Sequence, residues 1–101
     1  MTAPLALDAT QLKSLAARLP LWSVSQEVLI RTWHFASFED AMTFMQDAAV
    51  EIKRLNHHPE WTNIYDRVSC KLRTHDAGDR VTAKDAELAA ILDWIANRFA
   101  A

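Results

Sequence analysis

The feature that most restricts how this chain can fold is a bounded run of helical apolar spacing in residues 37–56. Phe38, Ala41, Met45, Ala48, Ile52 and Leu55 recur every three, four or seven residues over roughly five turns, laying one apolar stripe along a helix. Ser37 can cap that helix, and Glu39 and Asp40 fall in its first turn, where the positive dipole end favours acids. Lys53 and Arg54 occupy the last turn, where cations are favoured, and Asn56 suits the left-handed residue that ends a helix. A long helix with one apolar face needs other elements to cover that face, and the residues on both sides supply them.

Upstream, Asp8 or Thr10 can cap a first helix carrying Leu12, Leu15, Ala16 and Leu19 on one face, and Pro20 stops it. Residues 22–25 and 28–35 are rich in β-branched and aromatic side chains with the polar pair Gln26-Glu27 between them, which predicts a hairpin. Alternation alone leaves open which side chains of the second strand face inward. Downstream of Pro59, Trp61, Ile64 and Tyr65 mark a third strand and Asp66-Arg67 a turn. Val68, Cys70 and Leu72 then alternate with Ser69, Lys71 and Arg73 in a fourth strand. After a polar loop at 74–81, Thr82 can cap a last helix with Leu88, Ile91, Leu92 and Ile95 on its stripe.

Hairpins alternating with helices predict a single α+β domain spanning 1–101, in the order helix, strand, strand, helix, strand, strand, helix. Its four-stranded antiparallel sheet would carry the helices on one face. Such a sheet leaves an edge strand unprotected, and pairing it with a second copy predicts a homo-oligomer.

Composition removes several functions. A length of 101 residues suffices for one modest core, and 50% apolar with 24% charged residues is ordinary for a globular domain. A formal net charge of −2 argues against nucleic acid as a direct partner. Gly78, the single glycine, excludes the Walker and Rossmann phosphate loops, which need several. Cys70 stands alone, so no internal disulfide and no cysteine pair for zinc can form, and its alternation with Val68 and Leu72 makes it a small core side chain. Residues 1–7 lack the features of a signal peptide, and no apolar run approaches the roughly 20 residues that span a bilayer. The expectation is a cytoplasmic protein with no membrane association.

Three of the four histidines, His57, His58 and His75, carry the chemical signal. Pro59 stops the long helix and forces His58 into an extended conformation, so the first two lie at the junction with the third strand. His75 lies past the end of the fourth. A hairpin of these two strands brings all three imidazoles to one edge of the sheet. Imidazole titrates near neutrality and can give and take a proton, so such a group points to acid/base work. A metal site built from His57, His58, His75 and Asp76 is disfavoured, because adjacent histidines often point apart and no His-x-x-x-His pair is present. Trp61 is close enough to wall a pocket. Asp85, early in the last helix, is either a dipole-favoured surface acid or the orienting partner of a histidine.

The segments Asn56-His57-His58-Pro59-Glu60-Trp61, Asn63-Ile64-Tyr65 and Thr74-His75-Asp76-Ala77-Gly78, with Val68, Asp85 and Leu88-Ala89, closely resemble the signature of the pterin-4a-carbinolamine dehydratases. More loosely, the likeness runs back through the long helix to Trp22. It implies an enzyme that removes water from 4a-hydroxytetrahydrobiopterin to give quinonoid dihydropterin, recycling the cofactor of aromatic amino acid hydroxylases. The resemblance implies no metal and no organic cofactor, the pterin being the substrate. By the same likeness His57 and His75 transfer protons and His58 positions the pterin, while Asn56, Pro59, Trp61, Arg73, Thr74 and Asp76 help bind it and Asp85 orients a histidine. A homodimer or homotetramer and a functional link to a hydroxylase are implied too. The family also contains non-enzymatic dimerisation and assembly cofactors on the same fold, and retention of all three histidines favours the enzyme.

Three departures stand out. The stretch from His75 to Asp85 is one residue longer than usual, with Asp79-Arg80 where the family often has glycine and leucine. Lys53 stands where glutamate is common, and Arg73 replaces a small residue.

Overall fold

A computed structural model describes residues 4–99. Its elements run α1 (Ala9–Arg18), β1 (Ser23–Val24), β2 (Leu29–His34), α2 (Phe38–Leu55), β3 (Glu60–Ile64), β4 (Arg67–Leu72) and α3 (Ala83–Ala96), with single 3-10 turns at His75–Ala77 and Asn97–Phe99. The four strands form one sheet in the order β1-β2-β4-β3, antiparallel throughout. The α+β order expected from the sequence is the one observed. Among the described residues no helix is long and apolar enough to cross a membrane.

Local chemistry sets the helix ends. Of the two candidates for the first cap, Asp8 takes the role, exchanging hydrogen bonds with Gln11 in a reciprocal capping box. Ser37 Oγ accepts from Asp40 N–H at the start of α2, and Asn56 ends that helix in the left-handed region with φ 50. Thr82 caps α3, with Asp85 closing its capping box.

The register decides which side of β2 is buried. Leu29, Arg31 and Trp33 pair with Leu72, Cys70 and Val68, so these six side chains share the face against which the helices pack. Fully buried Phe44, Leu88 and Leu92 join them in one core. Arg31 belongs to this face because Nη1 lies 2.5 Å from Asp93 Oδ1 on α3, and Trp22 Nε1 donates to the same carboxylate at 3.0 Å. The opposite face, with Thr32, His34, Thr62, Ile64 and Lys71, is open.

Some details differ from the expectation. Ala16 and Phe38 are exposed rather than buried on their stripes. Phe38 instead lies stacked beside Tyr65, ring centroids 6.4 Å apart, and Phe44 carries the burial on α2. The β3–β4 turn is Tyr65-Asp66, one residue earlier than expected, because Ile64 pairs with Arg67. Asn63 braces it, its amide donating to the carbonyls of Tyr65 and Arg67, while Tyr65 takes a φ of 53.

Candidate active site

Because Glu60 pairs with Lys71, the chain entering β3 runs beside the chain leaving β4. Asn56, His57, His58 and Pro59 from the first segment, and Arg73, Thr74, His75 and Asp76 from the second, line one cleft of about 340 Å³. Glu60 and Lys84 complete its lining. The three histidines therefore meet as expected. A wider groove of about 1220 Å³ between the N-terminal segment and the start of α3 adjoins this cleft at Asp76 and Lys84, but contains no histidine.

His57 is held from beneath. The left-handed turn at Asn56 folds the chain back so that His57 N–H donates to Ile52 O at 3.3 Å, and the residue is only 9% exposed. Its Nε2 lies 2.5 Å from Asp85 Oδ1. Asp85 thus engages Nε2, and Nδ1 is the nitrogen left for another partner. Asp85 is fully buried, and its other oxygen accepts from Thr82 N–H at 2.9 Å and from Thr74 Oγ1 at 2.8 Å. Thr74 and Thr82 hydroxyls also meet at 2.7 Å. A buried carboxylate is tolerated when its lone pairs are taken up in this way. Asp85 thus closes the cap of α3 and contacts a histidine at once, and it is not a surface acid.

His58 and His75 are exposed. His75 opens the 3-10 turn after β4, and its Nδ1 lies 2.5 Å from Asp79 Oδ1. Gly78 with φ 72 and Asp79 with φ 59 form two successive left-handed residues. The loop is closed by a hydrogen bond of 2.9 Å from Thr74 N–H to Arg80 O. At the rim, Arg73 donates twice to Glu60, both bonds 3.0 Å long. These bonds hold the Glu60 carboxyl below the usual glutamate range and push the Arg73 guanidinium up.

Trp61 does not wall the cleft: it lies on the inner face of β3 opposite Cys70 and packs against the core. Cys70 is fully buried, and burial, helped by the Asp85 and Asp93 carboxylates, pushes its thiol up to about 12. Among the described residues no three His, Cys, Asp or Glu side chains are placed to hold a metal ion. Glu60, Lys84 and Asp79 were not expected at the site. The signals available were a glutamate and an arginine flanking the same hairpin, and an aspartate four residues after His75.

Comparison with known proteins adds to this geometry. A family model described as Pterin 4 alpha carbinolamine dehydratase matches residues 5–95. Among similar proteins provisionally named pterin-4-alpha-carbinolamine dehydratase, one from Opitutus terrae is 49% identical over 85% of this chain and 89% of its own. One from Burkholderia multivorans is 41% identical over 89% of each chain. A crystal structure described as a transcriptional coactivator/pterin dehydratase from Brucella melitensis superposes with a TM-score of 0.84 at 34% identity, covering 89% of this chain and 97% of that one. A pterin dehydratase-like protein described as a RuBisCO assembly factor in the alpha-carboxysome has a TM-score of 0.61 over 74% of this chain and 86% of its own. At 18% identity, that likeness concerns the fold alone.

Proposed function

Because the chain belongs to the pterin-4-alpha-carbinolamine dehydratase family, we propose that its histidine-lined cleft removes water from a 4a-hydroxytetrahydropterin. The observation that carries this reading is the gathering of His57, His58 and His75 in one cleft, with the first and third each held on one ring nitrogen by a carboxylate.

The reaction asks for little else. The C4a–O bond breaks, an acid protonates the departing oxygen to give water, the N5 proton passes to a base, and the C4a–N5 double bond forms. Hydroxide is a poor leaving group, so positioned acid and base groups contribute about 10²–10⁴-fold. In our reading His57 and His75 exchange these protons. His58 positions the ring system, while Asn56, Pro59, Arg73, Thr74 and Asp76 bind around it. Asp85 orients His57. The substrate would come from a pterin-dependent monooxygenase such as an aromatic amino acid hydroxylase, which leaves oxygen on C4a. We read the assembly as a homodimer or homotetramer, supported by β3, whose outer edge pairs with no strand among the described residues. The lone thiol suits a reducing compartment and supports a cytoplasmic site of action.

Stopped-flow absorbance tests the reading: enzymatically generated 4a-hydroxytetrahydropterin should decay to the quinonoid product faster with purified protein than in buffer. Folded protein that leaves the spontaneous rate unchanged defeats it.

A further inference from the structure

We propose that Asp79 is a positioning residue for His75: its carboxylate holds the ring at Nδ1–H and leaves Nε2 as the nitrogen presented to the cleft. The inference rests on the dehydratase reading and deepens it, because it states which atom of His75 exchanges the proton.

The contact is short, 2.5 Å from His75 Nδ1 to Asp79 Oδ1, and the carboxylate can only accept. The nitrogen not engaged is therefore the lone-pair-bearing one in the neutral ring. His75 needs such a partner more than His57 does. Its side chain is 73% exposed, so no packing around it fixes the ring, whereas His57 is enclosed. An unheld surface imidazole samples rotamers and both tautomers, and a proton-transfer group that is misaligned for most of the time loses rate.

The loop is built to deliver this carboxylate. After the 3-10 turn, Gly78 and Asp79 both take left-handed backbone, at φ 72 and φ 59, which reverses the chain and carries the side chain of Asp79 back across His75. Thr74 and Arg80 pair as an isolated antiparallel bridge, so the reversal has fixed ends. Glycine would adopt the same backbone without steric cost, and aspartate tolerates it less well. The residue at this position thus contributes its carboxylate at the expense of backbone ease. An exposed ion pair between residues four apart adds little stability, so the consequence of the contact is orientation.

Asp79→Gly in the full-length protein separates orientation from loop structure, because glycine keeps the backbone and deletes the carboxylate. Long-range ¹⁵N NMR of the histidine rings reads the tautomer directly. Slow exchange of the Thr74 amide, which bonds Arg80, reports that the loop is intact. We expect wild-type His75 protonated at Nδ1 in its neutral form and the glycine variant mixed between nitrogens. Dehydration kcat should fall about tenfold with KM changed less than about twofold. Asp79→Asn, whose amide oxygen can still accept from Nδ1, should restore the tautomer and most of the rate. An active enzyme in which Asp79→Gly leaves both the nitrogen pattern and kcat at wild-type values reduces the contact to a surface ion pair and overturns the proposal. Wild-type protein with no dehydratase activity defeats the parent reading and the catalytic half of this one. The nitrogen pattern, measured without substrate, then shows separately whether Asp79 holds the ring.

Discussion

His57 and His75 reach the same cleft under opposite structural regimes. His57 sits below the surface, its partner Asp85 fully buried and tied by further hydrogen bonds to Thr74 and Thr82, so its geometry is part of the core. His75 stands on an exposed 3-10 turn, and its partner Asp79 lies on the same short loop, 61% exposed at the side chain. Each ring is fixed by one carboxylate, but on different nitrogens: Nε2 for His57 and Nδ1 for His75. Burial makes the first arrangement inseparable from folding, because any change leaves desolvated groups without partners. Exposure makes the second nearly free of stability consequences, since water replaces whatever is lost. One cleft can thus hold two carboxylate-bound histidines of which only one is structurally essential.

The sharpest way to break this contrast is Asp85→Ala, which leaves His57 Nε2 and Thr82 N–H without their carboxylate partner and the Thr74 hydroxyl with Thr82 Oγ1 alone. We expect a loss of about 3–5 kcal/mol of stability in urea denaturation along with most of the activity. Asp85→Asn, which keeps the shape, should lose less. If the alanine variant loses under about 1 kcal/mol, the carboxylate is not integral to the core.

His75→Ala should do the reverse. Its rate is expected to drop by about 10²–10⁴-fold while stability stays within about 0.5 kcal/mol of wild type. A variant that unfolds, or one that turns over normally, removes the distinction drawn between the two histidines.

The smallest effect concerns the rim. Arg73 holds the Glu60 carboxyl below the usual glutamate range, chiefly through its hydrogen bonds. A depressed acid pKa contributes stability above the unfolded value and loses it as pH falls through the folded one. The pair is thus intact at neutrality and comes apart only in acid. A carbon-detected NMR titration should find the Glu60 midpoint below that of an ordinary glutamate, and Arg73→Ala should return it to the usual range. An unchanged midpoint in that variant shows that the two side chains do not interact in solution.

Much of the fold was legible because each element announces itself locally. Ser37 and Asn56 bracket α2, Thr82 opens α3, and the alternation of Val68, Cys70 and Leu72 marks β4. The meeting of the three histidines followed from the hairpin alone. Less legible was what depends on tertiary partners. Arg31 lies on the buried face because Asp93 and Trp22 await it there, a contact 62 residues away along the chain in the case of Asp93. Trp61 turns toward Cys70 and the core rather than the cleft, because strand alternation sends neighbouring side chains to opposite faces. The role of Asp79 depends on two consecutive left-handed residues, and sequence spacing does not specify such a reversal. Phe38 and Ala16 keep helical period with their stripes yet are exposed, Phe38 stacking on Tyr65 outside the core.

In our reading His57 and His75 together perform the dehydration. The most direct measurement compares purified wild-type protein with a His57→Ala, His75→Ala double variant in the decay of 4a-hydroxytetrahydropterin, followed by ultraviolet absorbance with folding checked by circular dichroism. We expect clear acceleration by the wild type and, for a folded double variant, a return to the spontaneous rate. A folded double variant that still accelerates the decay as well as the wild type contradicts it.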